Sequence, residues 1–105
     1  MQKAEMCSTL QVKKRIMDNK ISKGFNTTNI DREFCLAYGE LGEAFDAYRR
    51  GKENMGEELA DTVIYIMALA DMMHVDLGEE INNKLEINES RVYLKNEKGV
   101  LEKTT

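Results

Sequence analysis

Along most of this chain, hydrophobic and polar positions recur with the spacing of an amphipathic α-helix. The clearest stretch repeats an apolar residue every three or four positions, as one face of a helix does. Its members are Phe34, Tyr38, Leu41, Phe45 and Tyr48, and they predict the core face of a helix. The pattern as a whole predicts four helices, over about residues 8–21, 31–50, 55–74 and 77–91.

Residues that start and stop helices mark the boundaries of these segments. Asn54 and Asp76 are each followed three positions later by a glutamate, the spacing of a capping box. Gly51 follows the second helix, where a left-handed residue commonly ends the helix. The polar stretch 22–30 indicates a loop. The tail 92–105 has short apolar pairs around Asn96–Gly99, and its pattern is compatible with a hairpin or with a frayed end.

Composition supports an all-α fold with one domain. The chain has 105 residues and no proline, so nothing in it interrupts a helical backbone. We expect a single domain over 1–105, with a compact four-helix core at about 8–91 and a polar tail. A chain this short buries a modest core, which predicts that a homodimer or homotetramer completes it.

The charge balance narrows the choice of partners. The formal net charge is −4, so no overall positive field attracts nucleic acid, and we expect no nucleic-acid partner. The longest apolar run, 62–73, is too short to cross a bilayer. The sequence shows no charged-then-apolar leader. These features predict a cytoplasmic protein without a membrane partner.

Two acidic pairs occupy matching positions on successive helices: Glu40 with Glu43, and Glu58 with Asp61. Residues three apart share a helix face, and both pairs fall beside the apolar stripe rather than opposite it. If the two helices pack side by side, four carboxylates converge. Like charges at a semi-buried point repel unless a cation neutralises them. Oxygen ligands without His or Cys favour Mg²⁺, with Mn²⁺ as an alternative.

A second polar group lies on the fourth helix, where Lys84, Asn88 and Arg91 share one face. Two interpretations remain open for it. The residues could be a solvated helix end whose cations suit the helix dipole, or a phosphate clamp in which Arg91 binds bidentately. The acidic pairs could likewise be ordinary solvated charge.

Taken together, these boxes resemble the MazG-like, all-α nucleotide pyrophosphohydrolases. The matching text is Glu40-Leu41-Gly42-Glu43, then Glu58-Leu59-Ala60-Asp61, then the segment from Lys84 to Arg91, within a similarity that spans about residues 16–93. The resemblance implies a four-helix oligomer that cleaves a nucleoside triphosphate between its α and β phosphates. It also implies that Glu40, Glu43, Glu58 and Asp61 hold the metal, and that Lys84, Asn88 and Arg91 meet the phosphates. Gly39 stands where some relatives place a further acid.

Other residues complete the predicted site. Phe25, Tyr65 and Met72 are candidates to contact the base, although for each residue taken alone, packing in the core or in an interface is the commoner role. Among the carboxylates, Glu43 is the favoured proton acceptor, with Glu40 and Glu58 as alternatives. His74 is interpreted as a packing or dipole-complementing residue.

Two other functions compete with this prediction. The first is a phosphoribosyl-ATP pyrophosphatase, which resembles the same superfamily. The second is a non-enzymatic helical oligomerisation or partner-binding module, in which the acidic flank is solvated. The preferred base and sugar, and the number of metal ions, stay open.

Overall fold

The computed structural model describes residues 9–104, and it is built mainly from α-helices. Their bounds are α1 Thr9–Lys23, α2 Ile30–Arg49, α3 Met55–Met72 and α4 Leu77–Ser90, followed by strands β1 Tyr93–Lys95 and β2 Leu101–Lys103. The predicted all-α, four-helix fold is confirmed, and most predicted helix ends lie within two residues of these bounds. Ser8, where the first predicted helix begins, and Met6, which continues its apolar spacing toward the N-terminus, lie outside the described residues.

The centre of the fold is the helical hairpin of α2 and α3, which make the most extensive contact between elements. The five residues 50–54 join them, so the two helices run antiparallel. The buried apolar side chains of these two helices are mostly small, with Ala44 and Ala47 on α2 and Ala68 and Ala70 on α3. Leu69 of α3 is the largest buried apolar side chain among residues 9–104.

The prediction that the apolar face of α2 forms part of the core is wrong for a single chain, because its five residues are all exposed. They lie about 120° around the helix from Glu40, which sits on the face that meets α3. The corresponding residues of α3 are exposed on the same side of the hairpin. We call this surface the outer apolar face, and it consists of Phe34, Tyr38, Leu41, Phe45, Tyr48, Leu59, Val63 and Ile66.

α1 packs against α3 on the opposite side of the hairpin. The apolar residues Leu10, Met17 and Ile21 recur at helical spacing along α1 and predict its buried face; Leu10 and Ile21 are exposed and Met17 is half-buried, whereas Lys20 is buried. Lys13 lies 3.4 Å from Asp71 of α3. The predicted face of α1 is therefore wrong at Leu10 and Ile21, because the buried side of this helix includes a charged residue.

α4 extends away from the other helices. It begins near the start of α1, where an added Cβ on Gly78 would lie 3.2 Å from the Thr9 hydroxyl, and residues 79–90 are all exposed. No described residue of α4 contacts α2. The radius of gyration is 17.6 Å, compared with about 13 Å for a compact chain of this length.

The observed caps differ in part from the predicted ones. Asp76 caps α4 by accepting a hydrogen bond from the Glu79 amide, as predicted, and Gly51 has the expected positive φ of 64°. The capping box at Asn54 is wrong, since that side chain makes no cap hydrogen bond. Its amide donates instead to the Glu58 carboxylate at 3.2 Å. Asn29, within the predicted loop, caps α2 through the Arg32 amide.

The tail forms a hairpin, which decides between the two possibilities left by the sequence. β1 and β2 pair antiparallel with Leu94 opposite Glu102. The Asn96 side chain accepts from the amides of Lys98 and Val100 and so closes the turn. Among residues 9–104, no helix is both long and apolar enough to cross a membrane.

Candidate metal centre and adjoining cleft

Three of the four predicted carboxylates meet between α2 and α3. Glu40, Glu43 and Glu58 each offer an oxygen, and these oxygens lie within 4.8 Å of one another. Asp61 is exposed and outside this group, one turn further along α3. The acidic residues therefore lie on the face where the two helices meet, rather than on the flank of a buried apolar stripe.

The carboxylates of this cluster lie close together, and their burial and mutual repulsion raise the pKa values of two of them. Burial, followed by the charges of Glu43 and Asp61, raises the pKa of Glu40. Burial and the same two charges raise the pKa of Glu58. One oxygen of Glu58, Oε2, is buried and has no hydrogen-bond partner among residues 9–104. A buried polar atom without a partner is costly, and a bound cation would satisfy it.

The donor set fits a hard divalent cation. It offers carboxylate oxygens from two rigid helices, and neither His nor Cys belongs to the group. Oxygen ligands of this kind suit Mg²⁺ and Mn²⁺ rather than zinc. Glu58, whose Oε2 has no partner, is also one of the three residues whose oxygens converge, so the residues present fit such an ion.

A cleft of about 750 Å³ adjoins this centre, between α1 and the α2–α3 hairpin. Asp61 lines it together with Phe25 and Tyr65, the two aromatic residues that the sequence suggested for the base. Burial, followed by the charges of Glu40 and Glu33, raises the pKa of the Tyr65 hydroxyl. The cleft therefore has an acidic end near Asp61 and an aromatic wall, and its size falls in the range of small-molecule sites.

The predicted phosphate-binding residues are not gathered at this centre within the chain. Lys84 and Asn88 are exposed on α4, and Arg91 follows its last turn, donating to the Asn88 side chain at 3.2 Å. Glu58 is in the first turn of α3, whereas α4 begins beyond the far end of that helix. At 1.5 Å per residue, Glu58 lies about 20 Å from the end of α3 at Met72.

The remaining candidates lie at the far end of α3. Met72 is half-buried in its last turn. His74 has a positive φ of 58° just after the helix and lines a smaller cavity of about 330 Å³. That cavity is distant from the carboxylates, so neither residue adds to the metal centre.

Sequence reasoning missed a buried polar group at the base of the cleft. Lys20 of α1 donates to Glu33 of α2 at 2.9 Å, and Asn26 donates to the other oxygen of Glu33 at 3.1 Å. One signal was available: Glu33 precedes Glu40 by seven residues, or about two helical turns, and so shares its face.

A helical hairpin with a carboxylate centre between its helices, beside an aromatic cleft, defines an all-α protein suited to binding a metal ion and a small ligand. The chain belongs to the MazG-like family, which it matches over residues 35–105. Among solved structures it is similar to the MazG-like pyrophosphohydrolase of cyanophage S-2L, bound to dGDP and three catalytic Mn²⁺ ions per active site. The TM-score is 0.70 at 20% identity, and the alignment covers 95% of this chain and 100% of that protein. No curated protein matches the chain significantly.

Proposed function

We propose that the protein is a Mg²⁺-dependent nucleoside triphosphate pyrophosphohydrolase, which cleaves between the α and β phosphates to release a monophosphate and pyrophosphate. The observation that carries this proposal is the carboxylate centre of Glu40, Glu43 and Glu58, with its unpartnered buried oxygen, beside the cleft. Family membership and the nucleotide and Mn²⁺ bound by the cyanophage protein support it.

All four carboxylates, Glu40, Glu43, Glu58 and Asp61, would hold Mg²⁺, and Mn²⁺ could take its place. The bound ion supplies charge stabilisation for the phosphoryl oxygens. Glu43 is exposed whereas Glu40 and Glu58 are half-buried, so the oxygen of Glu43 that does not face the metal keeps the freest access to water and accepts the proton of the attacking water. Phe25 and Tyr65 form the wall that receives the base.

The experiment is a panel of canonical and modified nucleoside triphosphates, and phosphoribosyl-ATP, incubated with Mg²⁺ or Mn²⁺ while monophosphate and pyrophosphate are measured. Glu58→Gln should abolish product formation. Its neighbour Glu57, on the exposed side of α3, provides the matched control, and Glu57→Gln should retain activity. A wild-type protein that releases no pyrophosphate from any member of the panel would refute the proposal. Turnover of phosphoribosyl-ATP alone would favour the alternative enzyme.

We further propose that a second copy of the chain covers the outer apolar face. Eight large apolar side chains are exposed there, and a contiguous patch of this kind is typical of an interface. The extended shape of the chain and the separation of α4 from α2 also fit an assembly better than an isolated monomer. In that assembly, Lys84, Asn88 and Arg91 act as the phosphate clamp for the carboxylate centre of the other subunit.

Mixing two inactive variants tests the shared site. Glu58→Gln damages the carboxylate centre and Arg91→Ala damages the clamp, so each homodimer should be inactive. A mixed dimer would still combine the intact centre of one subunit with the intact clamp of the other. With random exchange of subunits, about a quarter of the wild-type sites should be active. If mixing restores no activity, although subunit exchange is demonstrated, the clamp does not act between subunits.

A further inference from the structure

A buried ion pair joins α1 to α2 at the base of the cleft. The Lys20 ammonium lies 2.9 Å from Glu33, and the two side chains are only 9% and 0% exposed. The same ammonium lies 5.5 Å from the centroid of the Tyr65 ring. Removing two charges from water is costly, and an apolar pair of similar size is often at least as stable. Stability alone is therefore a weak reason for this pair.

The surroundings of the ammonium point to a ligand. Lys20, Glu33 and Tyr65 all line the cleft. An ammonium carries three N–H donors, and Glu33 is the hydrogen-bond acceptor that it meets among the residues that the structure describes. Both oxygens of Glu33 are occupied, one by Lys20 and the other by Asn26, so the pair is held rigidly. The ammonium is fixed in place and has N–H groups that Glu33 does not use, so these groups can donate to an acceptor bound in the cleft.

The charge of the pair indicates which part of a nucleotide it meets. Glu33 neutralises Lys20, so together they exert little attraction on a polyphosphate, which belongs near the carboxylate centre. An N–H of a charged group nevertheless makes a strong hydrogen bond to a neutral acceptor. The aromatic residues Phe25 and Tyr65 line the same cleft, so the neutral acceptor is on the base.

We propose that Lys20 determines specificity by donating a hydrogen bond to a carbonyl oxygen or ring nitrogen of the nucleobase, and that Glu33 is the positioning residue that fixes its ammonium. This inference rests on the proposed function, since it assigns the base of the nucleotide to the cleft. It adds a polar contact that reads the base, whereas the carboxylates and the clamp act on the phosphates.

The decisive variant is Lys20→Met combined with Glu33→Gln, which removes both charges and leaves neither partner buried as an unpaired ion. The KM for the preferred nucleoside triphosphate should rise at least tenfold, with kcat within about twofold, because a hydrogen bond to a charged group is lost at every stage of the reaction. The Kd of the corresponding nucleoside monophosphate, measured by calorimetry, should rise equally. The inhibition constant of inorganic tripolyphosphate, which has no base, should stay at its wild-type value.

Two further variants separate a ligand contact from a structural role. Lys23→Met removes an exposed lysine of the same helix, which donates to Asn19, and should leave KM and Kd unchanged. Lys20→Arg retains the ion pair, so it tests the same contact if the double variant fails to fold. This variant should raise KM while keeping the wild-type melting temperature.

Several results would overturn the inference. If both Lys20 variants keep the wild-type KM and the wild-type Kd for the monophosphate, the ion pair has only a structural role. If the inhibition constant of tripolyphosphate rises together with KM, Lys20 contacts the phosphates rather than the base. If the wild-type protein hydrolyses nothing, the proposed function fails, whereas monophosphate binding still tests Lys20.

Discussion

Replacing Tyr38 with glutamate tests whether the outer apolar face is buried against a second copy. Tyr38 is 74% exposed in the chain, so its side chain contributes little to the fold of one subunit. If the face is an interface, the same change introduces a charge into a contact that excludes water. The variant should therefore fold as well as the wild type but associate far more weakly.

The size of the effect follows from the exposed area. An aromatic side chain can bury about 200 Å², so covering the exposed part of Tyr38 removes about 150 Å² from water and contributes about 4 kcal/mol. A twofold interface contains this contact twice, giving about 8 kcal/mol. Even if half of that area is covered, the dissociation constant should rise by between two and three orders of magnitude.

Sedimentation equilibrium over nanomolar to micromolar concentrations measures this shift against a monomer mass of 12.0 kDa. Ile21→Glu is the control, because Ile21 is 67% exposed on α1, on the opposite side of the hairpin. It introduces the same charge at a similarly exposed position and should leave association unchanged. A wild-type protein that is monomeric at micromolar concentration, or a Tyr38 variant that associates like the wild type, would refute the reasoning.

Further predictions concern the metal centre and the clamp. The raised pKa of Glu58 means that the folded, metal-free protein binds more protons than the unfolded chain, so this group stabilises less as pH rises above its ordinary titration range. Glu58→Gln should therefore melt above the wild type at pH 8, by a margin that shrinks toward pH 5 and vanishes with saturating Mg²⁺; an equal margin at both pH values would contradict this. Asp61→Asn should abolish turnover without loss of helical circular dichroism, and an active variant would remove Asp61 from the metal ligands. Arg91→Ala should lower kcat/KM by orders of magnitude, Arg91→Lys should restore only part of it, and wild-type rates in Arg91→Ala would exclude the clamp.

The helices could be predicted from the sequence because their signals are local. Apolar spacing, Gly51 and Asp76 each act within a turn or two of the chain, and the observed bounds follow them. The partner of an apolar face is not a local property. The repeat from Phe34 to Tyr48 identified an apolar surface correctly, but the same repeat would occur whether the surface met the chain's own helices or another subunit. Alanines at 44 and 47, with little hydrophobic signal of their own, are the buried apolar residues of α2 instead.

The same limit explains which parts of the site could be predicted. Glu40, Glu43 and Glu58 could be found because their spacing repeats on two helices that a short turn must bring together. The position of α4 depends on packing between distant segments, so the location of Arg91 relative to the carboxylates did not follow from the sequence.

The role of Glu33 is harder to predict from the sequence than that of the metal-binding carboxylates. Its spacing from Glu40 placed it on the carboxylate face, yet a glutamate there is as compatible with solvent as with burial. Its role depends on Lys20, which lies thirteen residues earlier on another helix. Neither residue is informative without the other, and no periodic pattern links them. Once they are paired, the cost of burying both charges becomes an argument for function, because an apolar pair could have joined α1 to α2 at lower cost. The double substitution of Lys20 and Glu33 therefore asks whether the pair is retained for the fold or for the ligand.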